Sequence, residues 1–201
     1  MIGIILGTRP EIIKMSPVIR ECERRGLDYF ILHTGQHYSP EMDRVFFEEL
    51  ELPDPDYNLD VGPGTHASQT AKIMTGVEDV LMKESPEIVL VQGDTNTAMA
   101  GALAASKLHV RVGHIEAGLR SFNRQMPEEI NRVLIDHISD YLFAPTENAR
   151  KNLISEGIEG SKICTTGNTI VDAVYQNLEI SKRKVNVLKD LDLKPREYFL
   201  V

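Results

Sequence analysis

Apolar residues fall along this chain in two alternating textures. Short runs rich in β-branched residues are separated by longer stretches in which apolar positions recur every three or four residues. The first texture predicts buried strands and the second amphipathic helices. Strands are expected at residues 2–6, 29–33, 88–92, 110–115, 141–144 and 163–165. Helices are expected from Pro10 to near Gly26, at about 40–50, at 67–82, 97–108, 127–139 and 147–156, and from an Asn168 or Thr169 cap into Leu178. Pro10 suits the first turn of its helix. In the helix at 127–139, the apolar positions Ile130, Val133, Leu134 and Ile138 share one face. The stretch 52–64 holds three prolines and two glycines and reads as a loop.

Strands apolar on both faces and separated by helices imply a parallel sheet joined by right-handed crossovers. The expected fold class is α/β, a Rossmann-like doubly wound parallel sheet. Beyond Leu178 the texture changes. Residues 180–194 are charged and lack glycine, Pro195-Arg196-Glu197 looks like a junction, and Tyr198-Phe199-Leu200-Val201 reads as a new strand. An exposed apolar strand is a poor terminus because its edge invites aggregation. The organisation expected is a domain over 1–179, a linker over 180–197, and over 198–201 the first strand of a second domain not present in this chain.

Composition narrows the partners. The 201 residues carry 22 basic and 30 acidic side chains, a formal charge of −8, which speaks against nucleic acid or a membrane surface as a partner. At 42% hydrophobic and 26% charged residues the chain is outside the disordered and collagen-like ranges. It is long enough to bury a core without metals or disulfides. Cys22 and Cys164 lack any metal-ligand spacing and read as reduced thiols. The opening MIGIILGTRPE has no signal-peptide character, and no apolar run approaches the roughly 20 residues of a membrane span. A cytoplasmic protein is expected.

Ligands of open α/β sheets bind beyond the carboxyl ends of the strands. That rule selects Thr8 and Arg9, the segment from His33 to His37, Asp94, Glu116 and, in a loop entering the next helix, Glu128. The first turn, GTRPE, matches neither GxGxxG nor GxxxxGK[ST], so neither dinucleotide nor P-loop recognition is supported. Its helix N-terminus with Arg9 suits an anion such as a diphosphate, with Lys14 a turn further on; pairing of Arg9 with Glu11 or a neighbouring carboxylate accounts for it equally. Asp94 is either an acid–base group or, with Thr95, a helix cap. Glu116 is either catalytic or neutralised by Arg120 or Arg124, since a buried unpaired carboxylate is costly. Glu128 and Glu129 suit a helix start, and Arg132 is placed to pair with either. His33 and His37 straddle Gly35 without zincin spacing, and Asp190-Leu191-Asp192 reads as a solvated face, so no metal is expected.

Six motifs in order carry a resemblance: GTRPEIIKMSPVI at 7–19, TGQHY at 34–38, VQGDTNTAMAGALAA at 91–105, HIEAGLRSF at 114–122, MPEEINR at 126–132 and TTGNTIVDAV at 165–174. The chain resembles the non-hydrolysing UDP-N-acetylglucosamine 2-epimerases. The resemblance implies the N-terminal half of a two-domain fold like that of the glycosyltransferase B architecture, with the active site in the cleft between halves. It implies reversible C2 epimerisation of UDP-GlcNAc to UDP-ManNAc by elimination and re-addition of UDP through 2-acetamidoglucal, without a cofactor. Matched position by position, the catalytic carboxylates fall on Asp94, Glu116 and Glu128. Arg9, Lys14 and Arg132 match substrate-binding positions, and Gln36 and His37 match an activating UDP-GlcNAc site, although Tyr38-Ser39 depart from the usual bacterial pattern. A homodimer is expected by the same analogy. The family's catalytic histidine and most uridine and diphosphate contacts belong to the second half, so this chain alone is expected to be inactive. The alternatives are a hydrolysing epimerase releasing ManNAc and UDP, a glycosyltransferase of the same architecture, and a non-catalytic nucleotide-sugar-binding module.

Overall fold

A computed structural model describes residues 1–35 and 40–199. The strands are β1 (Ile2–Leu6), β2 (Tyr29–His33), β3 (Tyr57–Asn58), β4 (Ile88–Gln92), β5 (Arg111–Ile115), β6 (Tyr141–Ala144) and β7 (Ile163–Thr165). The helices are α1 (Arg9–Arg25), α2 (Pro40–Glu49), α3 (His66–Glu84), α4 (Asn96–Lys107), α5 (Pro127–Ile138), α6 (Glu147–Ser155), α7 (Thr169–Lys184) and α8 (Val187–Asp190). All strands pair in parallel, in the order β3-β2-β1-β4-β5-β6-β7. The chain builds outward from β1 to β3, crosses back through α3, and then builds the other way from β4. The order therefore reverses between β1 and β4, which opens a crevice at their carboxyl ends.

Alternation along the strands feeds two large cores, one on each face of the sheet, and a smaller third joins β6 and β7 to α6. Ile5, Val89 and Val91 pack with Ile73 and Val77 of α3 and the alanines of α4. Ile4, Leu6 and Ile31 pack on the other face with Ile12, Met15 and Ile19 of α1 and Phe47 of α2. Each fully buried aliphatic side chain contributes about 1.5–3 kcal/mol. Helix α1 tolerates Pro17 because the Ser16 hydroxyl donates to the Ile13 carbonyl (2.8 Å), the acceptor that a proline at 17 leaves without its N–H. It ends at Gly26, whose φ of 62° closes the last turn.

The sheet holds a strand the sequence pattern missed. Tyr57 and Asn58 pair with Leu32 and His33 inside the expected loop; a two-residue strand beside prolines has no periodicity to read. The shared apolar face of α5 is divided, with Ile138 packed against the core. Ile130 and Leu134 are 43% and 47% exposed, while Glu129, Asn131, Ile135 and Asp136 are buried. The helix turns inward the face whose polar groups bond to neighbouring loops. Its apolar outer face, with Phe122, lines a groove of about 280 Å³.

Helix α7 also runs further than expected, so residues 180–184 of the predicted linker are helical. Arg20 of α1 donates to Asn177 Oδ1 (3.2 Å), and Lys184 donates to the carbonyls of Glu48 and Glu49 at the end of α2 (3.0 and 3.1 Å). Tyr198 and Phe199 are not in a strand, and Leu200 and Val201 lie outside the described residues. No helix among the described residues is long and apolar enough to cross a membrane.

Candidate functional site

The rim of the sheet places Glu116 directly after β5, with a φ of 74°. A non-glycine residue in the left-handed region is unfavourable and persists only where surroundings over-determine it. Here three donors do so. Lys14 Nζ lies 2.7 Å from Glu116 Oε2, Gln92 Nε2 bonds the same oxygen, and Asn168 Nδ2 donates to Oε1 at 3.0 Å. The side chain is 8% exposed. The sequence left Arg120 or Arg124 as the neutralising partner; in the fold it is Lys14, reaching across from α1. Arg120 instead binds Asp136 (2.8 Å) and both oxygens of Glu156 (2.7 and 2.6 Å). Asn168 also caps α7, its Oδ1 accepting from Ile170 N.

Asp94 sits in the middle of the β4–α4 turn, between Gly93 and Thr95. Thr95, not Asp94, caps α4, its hydroxyl oxygen accepting from Ala98 N (3.0 Å). Asp94 is left to receive Arg132 Nε on Oδ2 (2.8 Å). Arg132 also donates through NH1 to Glu129 (2.9 Å), so of the two glutamates opening α5 it chooses the second. Glu129 is 3% exposed and accepts from the backbone N–H groups of Ser121 and Phe122 (both 2.9 Å) and from the Ser121 hydroxyl. Burial raises its carboxyl, but the Ser121 N–H, Arg132, the Phe122 N–H and the Ser121 hydroxyl outweigh it and hold the group at about 2. Glu128 is exposed, and its carboxylate makes no hydrogen bond or ion pair with another described residue.

A second buried network braces these turns from beneath. His114 links Asp136 (Nδ1 to Oδ1, 2.6 Å) to the Gly93 carbonyl (Nε2 to O, 2.8 Å). Gly118 N donates to Asp136 Oδ2 (3.1 Å), and a Cβ on Gly118, whose φ is 81°, would meet the Ala149 carbonyl at 2.3 Å. Asn131 donates to the Asp94 carbonyl (2.9 Å). Burial raises the Asp136 carboxyl, but the His114 hydrogen bond and the charges of His114 and Arg120 turn the net shift downward.

On the other side of the crevice, Arg9 is half-buried at the start of α1 and makes no ion pair with another described residue, Glu11 included. Glu11 is turned inward, 1% exposed, and bonded only to uncharged donors. Burial pushes its carboxyl up to about 7 against the opposing pull of the Thr95, Thr8 and Gly7 hydrogen bonds. Gln36 and His37 lie outside the described residues. Among the described residues no group of three His, Cys, Asp or Glu side chains is placed to hold a metal ion.

The fold thus joins Lys14 to Glu116 and Arg132 to Asp94, and leaves Arg9 and Glu128 without a described partner. Sequence reasoning missed the supports Gln92, His114, Asn131 and Asp136; it named Glu129 as a possible partner of Arg132, a pairing the fold makes, and Glu11 as one for Arg9, a pairing it does not. One signal was readable. Thr8 and Glu11 stand three apart at a helix start, the spacing of a capping box.

A reversed parallel sheet with cation-paired carboxylates on its crevice rim defines a doubly wound α/β domain of the kind that binds ligands at its strand ends. More narrowly, the chain belongs to the UDP-N-acetylglucosamine 2-epimerase family, whose model matches residues 20–201. It is 63% identical over 186 residues to the UDP-N-acetylglucosamine 2-epimerase of Methanocaldococcus jannaschii, covering 92% of this chain and 51% of that protein. A crystal structure of the Methanocaldococcus jannaschii UDP-GlcNAc 2-epimerase in complex with UDP-GlcNAc and UDP superposes with a TM-score of 0.90 at 62% identity, over 94% of this chain and 52% of that one. The UDP-2,3-diacetamido-2,3-dideoxy-D-glucuronate 2-epimerase of Pseudomonas aeruginosa is 52% identical over 84% of this chain and 49% of its own length. A lipopolysaccharide outer core galactosyltransferase shares the fold alone, with a TM-score of 0.59 at 15% identity over 84% of this chain and 46% of that one. The chain spans about half the length of the curated relatives it matches.

Proposed function

We propose that the protein reversibly inverts C2 of UDP-N-acetylglucosamine to give UDP-N-acetylmannosamine, without hydrolysis and without a cofactor. The observation that carries this reading is the pairing of Glu116 with Lys14 and of Asp94 with Arg132 around the crevice of an epimerase-family domain. The C2 hydrogen is not beside a carbonyl, so enolisation is not open to it. In an elimination, a base takes the C2 proton, the C1–O bond breaks, and its electron pair leaves with UDP to give 2-acetamidoglucal. Re-addition returns a proton to the opposite face of C2 as the UDP oxygen bonds C1 again. The cycle is redox-neutral and needs an acid and a base, which several carboxylates with separated environments supply.

In this reading Asp94, Glu116 and Glu128 share the proton transfers, and Arg9, Lys14 and Arg132 hold the substrate. Gln36 and His37 form an activating UDP-GlcNAc subsite. A second Rossmann-like half after the linker completes the cleft, and the 201 residues alone are inactive. The protein works in the cytoplasm as a homodimer; the apolar outer face of α5 is compatible with a covered surface, and sedimentation of the complete protein tests it.

Incubation of the complete protein with UDP-GlcNAc in deuterated water should place deuterium at C2 and yield UDP-ManNAc by proton NMR. Free ManNAc would establish the hydrolysing alternative, and transfer to an acceptor without C2 inversion a glycosyltransferase. Asp94→Asn, Glu116→Gln and Glu128→Gln should each lower kcat by about 10²–10⁴-fold while the protein remains folded by circular dichroism. Wild-type turnover in all three would overturn the site assignment. The Pseudomonas relative supports a second reading, in which the sugar is a diacetamido uronate and the C2 chemistry is the same. The ratio of kcat/KM for the two nucleotide sugars decides between them.

A further inference from the structure

Glu11 lies at the one place where the sheet order reverses. Its Oε2 accepts from the Gly7 N–H and the Thr8 hydroxyl, both at 2.9 Å, in the β1–α1 turn. Its Oε1 accepts from the Thr95 hydroxyl at 2.7 Å, in the β4–α4 turn. The two strands are neighbours in the sheet, and the two turns form the walls of the crevice. One turn presents Arg9 and the other presents Asp94.

A capping role alone does not account for this arrangement. Thr8 makes no side-chain cap on α1, and its hydroxyl is spent on Glu11 instead. Nor is Glu11 neutralised: no cation among the described residues pairs with it, and Lys14, three residues on, goes to Glu116. A carboxylate buried without a cation is costly, and an exposed one would serve a helix N-terminus as well. What burial adds is the reach to Thr95. Gly7 lets the β1–α1 turn pack closely against α4, because a Cβ there would collide with the Thr97 side chain.

We infer that Glu11 is a positioning residue for the site, its two carboxylate oxygens setting the spacing between the turn that carries Arg9 and the turn that carries Asp94. The kinetic part of this inference rests on the epimerase reading; the structural part does not. The test uses the complete protein and the variants Glu11→Gln, Thr95→Val and Thr95→Ser. It measures kcat and KM for UDP-GlcNAc together with native-state hydrogen exchange.

Glu11→Gln and Thr95→Val should each lower kcat by about 10–100-fold, the scale expected for a misplaced reacting group. Thr95→Val should do so with KM nearly unchanged; it also removes the α4 cap on Ala98 N, so Glu11→Gln, which leaves that cap in place, separates loss of the link from loss of the cap. Thr95→Ser, which keeps the hydroxyl, should restore wild-type kinetics. In Glu11→Gln the amides of residues 7–8 and 95–98 should exchange faster together. A folded Glu11→Gln protein with wild-type kcat and KM would overturn the inference, as would faster exchange in one turn only. If wild type does not convert UDP-GlcNAc, the epimerase reading falls, and the exchange measurement alone still decides whether Glu11 couples the two turns.

Discussion

Glu11 and Glu129 both hide from solvent, 1% and 3% exposed, on helices that cover opposite faces of the sheet, but Glu11 lies deep in the fold and Glu129 close beneath the surface. Glu11 is surrounded by two hydroxyls and a backbone N–H, and its carboxyl is pushed up to about 7. Glu129 has a comparable set of neutral donors plus Arg132, and it is held at about 2. Asp136, with His114 and Arg120 against it, also falls below its ordinary range. The difference teaches that low solvent exposure alone does not set the charge of a carboxylate; the depth of its burial and the donors in contact do. At Glu11 neutral hydrogen bonds offset only part of the desolvation cost, whereas at the shallower Glu129 the Ser121 N–H together with Arg132 outweighs it.

The comparison breaks most severely at Asp136. Replacing it by alanine leaves Arg120 and His114 buried without their shared anion. Urea unfolding should show a loss of about 3–5 kcal/mol; a loss under 1 kcal/mol would show that the network relaxes. The Glu11 contribution is next. Its folded value lies above the ordinary 4.5, so its stabilisation is full below pH 4.5 and lost as pH rises through about 7. That separation corresponds to about 3 kcal/mol, and Glu11→Gln should abolish this slope in a pH series of denaturation midpoints.

Glu129 has the opposite sign. Its stabilisation is full above its ordinary value and lost as pH falls toward about 2. Glu129→Gln should cost about 1.5–3 kcal/mol at neutral pH, the range for hydrogen bonds to charged groups, and lose less stability than wild type on acidification. The smallest effect belongs to its neighbour. Exposed Glu128→Gln should shift unfolding by less than about 0.5 kcal/mol, so that any large fall in its turnover reports on chemistry.

Much of the fold is legible because strand and helix periodicities are local. Ile88–Gln92 and Tyr141–Ala144 are readable from five and four residues each, and the alternation of elements points to a parallel sheet. The departures share a cause: tertiary partners override local pattern. Ile130 and Leu134 lie on the apolar face of α5, but the helix buries Glu129, Asn131 and Asp136 because each has partners waiting in a loop or on another element. Residues 180–184 look like linker because they are charged, yet Lys184 is held by carbonyls at the end of α2. The candidate rim, Arg9, Asp94, Glu116 and Glu128, follows from strand ends alone. Its pairings do not.

By itself the sequence determined the order and type of the main elements, the absence of a dinucleotide or P-loop fingerprint, and the residues that must stand at the strand ends. These depend on contacts within a few residues, where spacing decides which side chains meet. Only the tertiary structure decided which carboxylates are paired, which are buried among neutral donors, and which stand free. Lys14 and Glu116 are 102 positions apart, and Glu11 and Thr95 are 84 apart. Such pairs exist only once the sheet has closed, and the charge state of each group depends on the burial and the partners that closure supplies.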